Sequence, residues 1–75
     1  MTQQEFEEAL RHFLRREPFQ PFVVELLDGR FLFIDGRSVA FDNGNAVFLA
    51  PDYDLVDFTF QEVREIRDAS HEMAQ

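Results

Sequence analysis

The sequence has no cysteine, no lysine and no tryptophan. Without cysteine there are no disulfides and no thiolate metal sites. Three glycines are too few for a phosphate-cradling loop. No apolar run reaches the length of a membrane span, and the N-terminus lacks the basic start, apolar stretch and small-residue cleavage site of a leader. These absences predict a cytoplasmic chain with no membrane association. Positive charge is also scarce: seven arginines face fifteen acids, for a net charge of −8. Generic nucleic-acid binding draws most of its affinity from basic contacts to phosphate, so this balance argues against it.

What is abundant is phenylalanine, ten of 75 residues. The length means a single domain, 1–75, which buries only about 60% of the surface its unfolded chain exposes. A chain this small gains stability from disulfides, metals or self-association. The first two have no basis here, and ten phenylalanines exceed what one small core comfortably hides.

Along the chain the first element is a helix over about 3–16. Thr2 and Glu5 form a T-x-x-E capping box, and Phe6, Ala9, Leu10, Phe13 and Leu14 make one apolar stripe. Acids lie in its first turn and Arg15 and Arg16 in its last, matching the helix dipole. Pro18 disfavours helix at Glu17. "PFQPF" (18–22) is a stiff connector, with Phe19 and Phe22 expected to fold back onto the stripe.

Strands follow over about 22–67. Phe22–Leu27 leads to Asp28-Gly29, which predicts a two-residue type I′ turn with positive φ at both positions. Phe31, Leu32, Phe33 and Ile34 are four apolar residues in a row, so both faces of that strand are expected to be at least partly covered. Gly36 then marks a sharp bend or bulge, with Val39–Phe41 beyond it. Turns at Asp42-Asn43-Gly44-Asn45 and Pro51–Asp54 flank strand Ala46–Ala50. Leu55–Phe60 alternates, and "QEVREIR" reads as a helical turn carrying Val63 and Ile66, then a short strand. The tail, 68–75, is expected to fray. The fold class is therefore α+β, mainly β: a helix, then a strongly bent antiparallel sheet of four or five strands, or a small barrel of the Sm or SH3 kind.

"FVVELLDGRFLFIDG" and the order of elements around it resemble the Sm-like barrel, with the Hfq-like RNA chaperones nearest in layout. The resemblance spans residues 3–67 and implies a ring-forming oligomer. Hfq-like proteins carry a Lys-His pair entering the last strand, where this chain has Gln61 and Glu62, so the resemblance does not extend to their RNA pore. "PFQPF" with "LLDGR" is also similar to short uncharacterised bacterial proteins sharing PFxPF and DGR, a likeness that implies no activity.

No residue pattern carries catalysis. Ser38 and Ser70 lie outside a G-x-S-x-G context, and His12 and His71 have no evident nucleophile. Asp52, Asp54 and Asp57 lack the glycine and terminal glutamate of a calcium loop. The expectation is a non-enzyme with no cofactor and no metal. Its most economical function is self-association, or association with an unidentified protein partner. The expected contact is strand Leu55–Phe60, through an apolar face of Val56, Phe58 and Phe60 with Asp57 opposite. A second reading is an Sm-like RNA binder using Arg11, Arg15 and Arg16, although pairing of these charges with Glu7 or Glu8 is the plainer account. A third is an acidic mimic of nucleic acid. Asp28, Gly29, Gly36 and Gly44 are read as structural turn residues.

Overall fold

The computed structural model describes residues 1–50 and 52–69. Helix α1 (Gln3–Leu14) precedes strands β1 (Phe22–Leu26), β2 (Phe31–Ile34), β3 (Val39–Asp42), β4 (Asn45–Leu49) and β5 (Leu55–Thr59). A 3-10 turn (Phe60–Glu62) leads into β6 (Val63–Asp68). The mainly-β reading with an N-terminal helix holds. The strands number six, and they form two three-stranded antiparallel sheets, β2-β1-β6 and β3-β4-β5. No ladder joins the two among the described residues, so the closed-barrel alternative is corrected. The chain breaks its pairing between Ile34 and Val39, and β2 and β3 then lie in different sheets.

The helix closes the space between the sheets. Its capping box is formed: the Glu5 amide donates to Thr2 Oγ1 at 3.1 Å, and the Thr2 amide donates to Glu5 Oε1 at 2.9 Å. Phe6 and Leu10, one helical turn apart, are fully buried. The Phe6 ring meets Phe58 of β5 edge-on at 5.9 Å, and the Phe13 ring stacks on Phe22 of β1 at 5.1 Å. One stripe thus grips both sheets, each buried aromatic contributing about 1.5–3 kcal/mol. The helix ends at Leu14, two residues before the expected limit, with Arg15 as its C-cap. Arg37 satisfies the frayed end, donating from Nε to the Leu14 carbonyl at 2.9 Å and from Nη2 to the Arg16 carbonyl at 2.7 Å.

The turns sort by which residue takes positive φ. After β1 the Gly29 amide donates to the Leu26 carbonyl at 3.0 Å, and the Leu26 amide donates to the Arg30 carbonyl at 2.8 Å. Only Gly29 has positive φ, at 92°. This is a three-residue loop closed by a glycine bulge, and the two-residue type I′ expectation is corrected. The type I′ geometry occurs instead between β3 and β4, where Asn43 and Gly44 take φ of 54° and 81°. Gly44 is also buried, and a Cβ there would lie 2.6 Å from the Phe60 ring. Gly36 has neither positive φ nor a neighbour within 4 Å of such a Cβ, so the bend does not require glycine.

The reading of "QEVREIR" as a helical turn and then a strand holds, with the turn at Phe60–Glu62, but Val63 and Ile66 belong to β6 and not to the turn. Glu25 pairs with Glu65 but Leu26 pairs with Val63, which leaves Arg64 as an extra residue. That bulge puts Val63 and Ile66 on one buried face at a spacing of three, which in sequence mimics a helix. Residues 68 and 69 are not frayed either. Ala69 is fully buried, and its amide donates to the Pro21 carbonyl at 3.2 Å. The remaining tail, 70–75, lies outside the described residues.

Gly44→Ala is expected to lose about 2–4 kcal/mol, from a left-handed alanine and the overlap with Phe60. Gly36→Ala is expected to stay within about 0.5 kcal/mol of the native protein. Urea unfolding of both variants checks the contrast, and equal losses would be inconsistent with it. The capping box makes a pH prediction. The Thr2 amide, then its hydroxyl, hold the Glu5 carboxyl below its ordinary value. A lowered carboxyl contributes stability that is complete above the ordinary value and is lost as pH falls through the lowered one. Glu5→Gln keeps an acceptor but does not titrate, so its melting temperature should fall less steeply than the native protein's on acidification.

Candidate functional site

The side chains expected to form an exposed contact face point inward. Phe58 is 2% exposed against Phe6, and Val56 and Phe60 pack on the same core. The alternation of β5 is as expected, but its apolar side faces the helix and Asp57 faces solvent. Introducing a charge at Phe58 would therefore test the core and not an interface. β5 itself is the edge of its sheet, with β4 on one side and no strand on the other among the described residues.

The arginine cluster is divided by the fold. Arg16 turns inward and ties three segments together. Its Nη1 donates to Asp68 Oδ2 at 2.8 Å and its Nη2 to the Gln20 carbonyl at 3.0 Å. Its guanidinium lies 4.8 Å from the Phe13 ring centre. Arg11 is half-buried, with its guanidinium 5.6 Å from the Phe41 ring. Arg15 alone is exposed, and it makes no ion pair among the described residues. Neither Glu7 nor Glu8 pairs with these arginines, so the plainer account is corrected. Glu7 accepts from the Gly44 amide at 2.8 Å and Glu8 from the Gln4 side chain at 3.3 Å. Glu7 is spent on holding the β3–β4 turn to the helix.

The candidate chemical residues do not converge. Asp52 and Asp54 sit in the β4–β5 turn, where Asp52 accepts from the Asp54 amide at 3.2 Å, while Asp57 stands on the strand. His12 is exposed beside Phe13, with the rings 5.0 Å apart. Ser38 is exposed between β2 and β3, whereas Ser70 and His71 lie outside the described residues. Asp28 closes its hairpin, accepting from the Arg30 amide at 3.0 Å and from Arg30 Nε at 2.8 Å. The amide bond, then the side chain of Arg30, draw its carboxyl below the ordinary value.

Two sheet faces are left uncovered, and they differ in charge. On the first sheet, Leu32 and Ile34 of β2 turn inward, and Phe31 and Phe33 turn out at 57% and 44% exposure. Phe33 pairs across to Val23 and Phe31 to Glu25. Around them lie two acids and two bases: Arg67 meets Glu25 at 2.7 Å and Glu65 at 3.1 Å, and Arg64 approaches Glu25 at 3.5 Å. Arg67 also lies 5.4 Å from the Phe31 ring. On the second sheet the outer face carries Ala40, Val47 and the paired Leu49 and Leu55. Asp42 and Asp57 share that face, and residues 38–63 contain no base at all. The exposed Phe31 and Phe33 were legible in sequence as an unbroken apolar run, but their lack of cover was not.

Comparison with family models, with curated proteins and with solved structures finds no match for this chain.

Arg16→Ala is expected to destabilise the fold by about 1–3 kcal/mol, because it removes the Arg16–Asp68 ion pair and opens the joint between helix, connector and β6. Arg15→Ala should change stability by less than about 0.5 kcal/mol. Thermal melts of the two variants check this, and equal effects would return Arg16 to the surface cluster.

Proposed function

We propose that this chain is a non-enzymatic association module that pairs with a second copy of itself through the outer face of its first sheet. The observation that carries the reading is the half-covered run at β2. Four consecutive apolar residues need cover on both sides, and one copy covers only Leu32 and Ile34. Phe31 and Phe33 lie on an edge strand, where backbone pairing and apolar burial reinforce each other.

The charges around the two rings support a second copy as the partner. Two glutamates and two arginines sum to zero, so a two-fold pairing can set each acid against a base of the other copy. Closed two-fold symmetry is the commonest outcome for soluble oligomers. The order β6-β1-β2 followed by β3-β4-β5 supports including an Sm-like layout in the proposal, with the bend at 35–38 dividing what would be one long strand.

Light scattering at about 10–100 µM, a range in which mass action populates moderate dimers, should show a discrete species near twice 8.9 kDa. A Phe31→Ser, Phe33→Ser double variant keeps the core and should return to a single copy with unchanged circular dichroism. A native protein that stays at one copy throughout the range, or a double variant that keeps the native mass, would sink the proposal. A larger ring abolished by the same two substitutions would retain the face and revise the symmetry.

A further inference from the structure

The second uncovered face combines apolar side chains with unbalanced negative charge. Leu49 and Leu55 face each other across β4 and β5 at 41% and 72% exposure. Tyr53, in the adjoining turn, is 84% exposed. Its φ of 68° is left-handed, a conformation that favours glycine, yet a large aromatic is held there in solvent. Asp52 and Asp54 flank Tyr53, Asp57 follows Leu55 on the same face and Asp42 lies at the other end of it, and none is paired with an arginine among the described residues. A shallow depression on the same face is lined by Ala40, Asp42, Asn45, Val47 and Asp57, with small apolar side chains next to two carboxylates.

We propose that this face binds an extended cationic segment of a partner protein, added as a strand along the edge of β5, which no other strand pairs with among the described residues. The charge selects the occupant. A second copy would set aspartates against aspartates, and nucleic acid or an anionic membrane would meet the same repulsion. The edge selects the form. The outward amides and carbonyls of β5, apart from the Thr59 amide that Glu62 holds, can pair with an incoming backbone, and the outward residues Leu55 and Asp57 set the side-chain rule. The incoming strand needs an apolar residue beside Leu55 and an arginine or lysine beside Asp57. A long basic side chain can lay its stem across β5 toward Val47 and hold its charge at Asp57, while Asp42, two strands further in, adds to the negative field of the face. This surface is separate from the one assigned to self-association, and the two stand independently.

The test is fluorescence anisotropy with a labelled eight-residue peptide in which valine and arginine alternate at every second position with threonine between them, so that one face presents both. Saturable micromolar binding is expected. The same peptide with glutamate in place of each arginine should not bind. Asp57→Asn should weaken the arginine peptide about two- to fivefold, as the loss of one solvent-exposed ion pair would, and Asp42→Asn should weaken it less. Leu55→Ser should weaken it further, and so should raising salt from about 0.05 to 0.3 M. Methylation of alternate backbone amides in the peptide should abolish binding. The proposal is overturned if the arginine peptide does not bind, if the glutamate peptide binds equally, or if the aspartate variants or the methylated peptide keep native affinity. The Phe31→Ser, Phe33→Ser variant should bind the peptide as the native protein does. Its mass reports on self-association and its anisotropy on this site, so either idea can fail alone.

Discussion

The fold depends on one apolar stripe lying between two sheets that share no ladder among the described residues. Phe6 reaches Phe58 on one side and Phe13 reaches Phe22 on the other, with Leu10 buried between them. Hydrogen bonds organise each sheet internally, and the helix supplies the apolar bridge that a continuous ladder would otherwise provide. The polar joints are fitted around this wedge. Glu7 holds the β3–β4 turn, Arg37 holds the end of the helix, and Arg16 holds the last strand and the connector. Four elements are thereby tied to one helix, so a change within the stripe is expected to loosen both sheets together.

That arrangement also explains why the surface is uneven. The helix covers the inner faces, which leaves both outer faces to solvent. The bases are committed to the helix and the first sheet, and the second sheet keeps only acids. A chain with a net charge of −8 thus holds one nearly neutral face and one strongly negative face. Apolar side chains on both, in settings of different charge, give the two faces different partners by elementary electrostatics.

Much of the fold was legible. Thr2 with Glu5 marked the start of the helix, the stripe marked its buried side, and the glycine and asparagine pairs marked two of the hairpins. A second T-x-x-E, Thr59 to Glu62, stood in plain sight before β6, and the Thr59 amide does donate to Glu62 Oε1 at 2.9 Å. The errors have local physical causes. The bulge at Arg64 turned a strand into a helical spacing. The loop at Asp28-Gly29 gained a third residue because only Gly29 adopts positive φ. The burial of Ala69 depended on a carbonyl at Pro21, far away in sequence.

By itself the sequence determined what local chemistry decides: the helix and its cap, the alternation of β5, the positions of the turns and the sign of the charge. Capping, periodicity and turn preference act over a few neighbouring residues, so they can be read without a partner. Only the tertiary structure decided which side of each alternation is buried. Val56 and Phe58 in β5, Phe60 just after it, and Phe31 and Phe33 in β2 are equally apolar as text. The helix covers the first set and leaves the second exposed, because a single stripe can fill only the space between the sheets. The same holds for Arg16 and Arg15, which are adjacent in the chain. One meets Asp68, 52 residues away, and the other meets water.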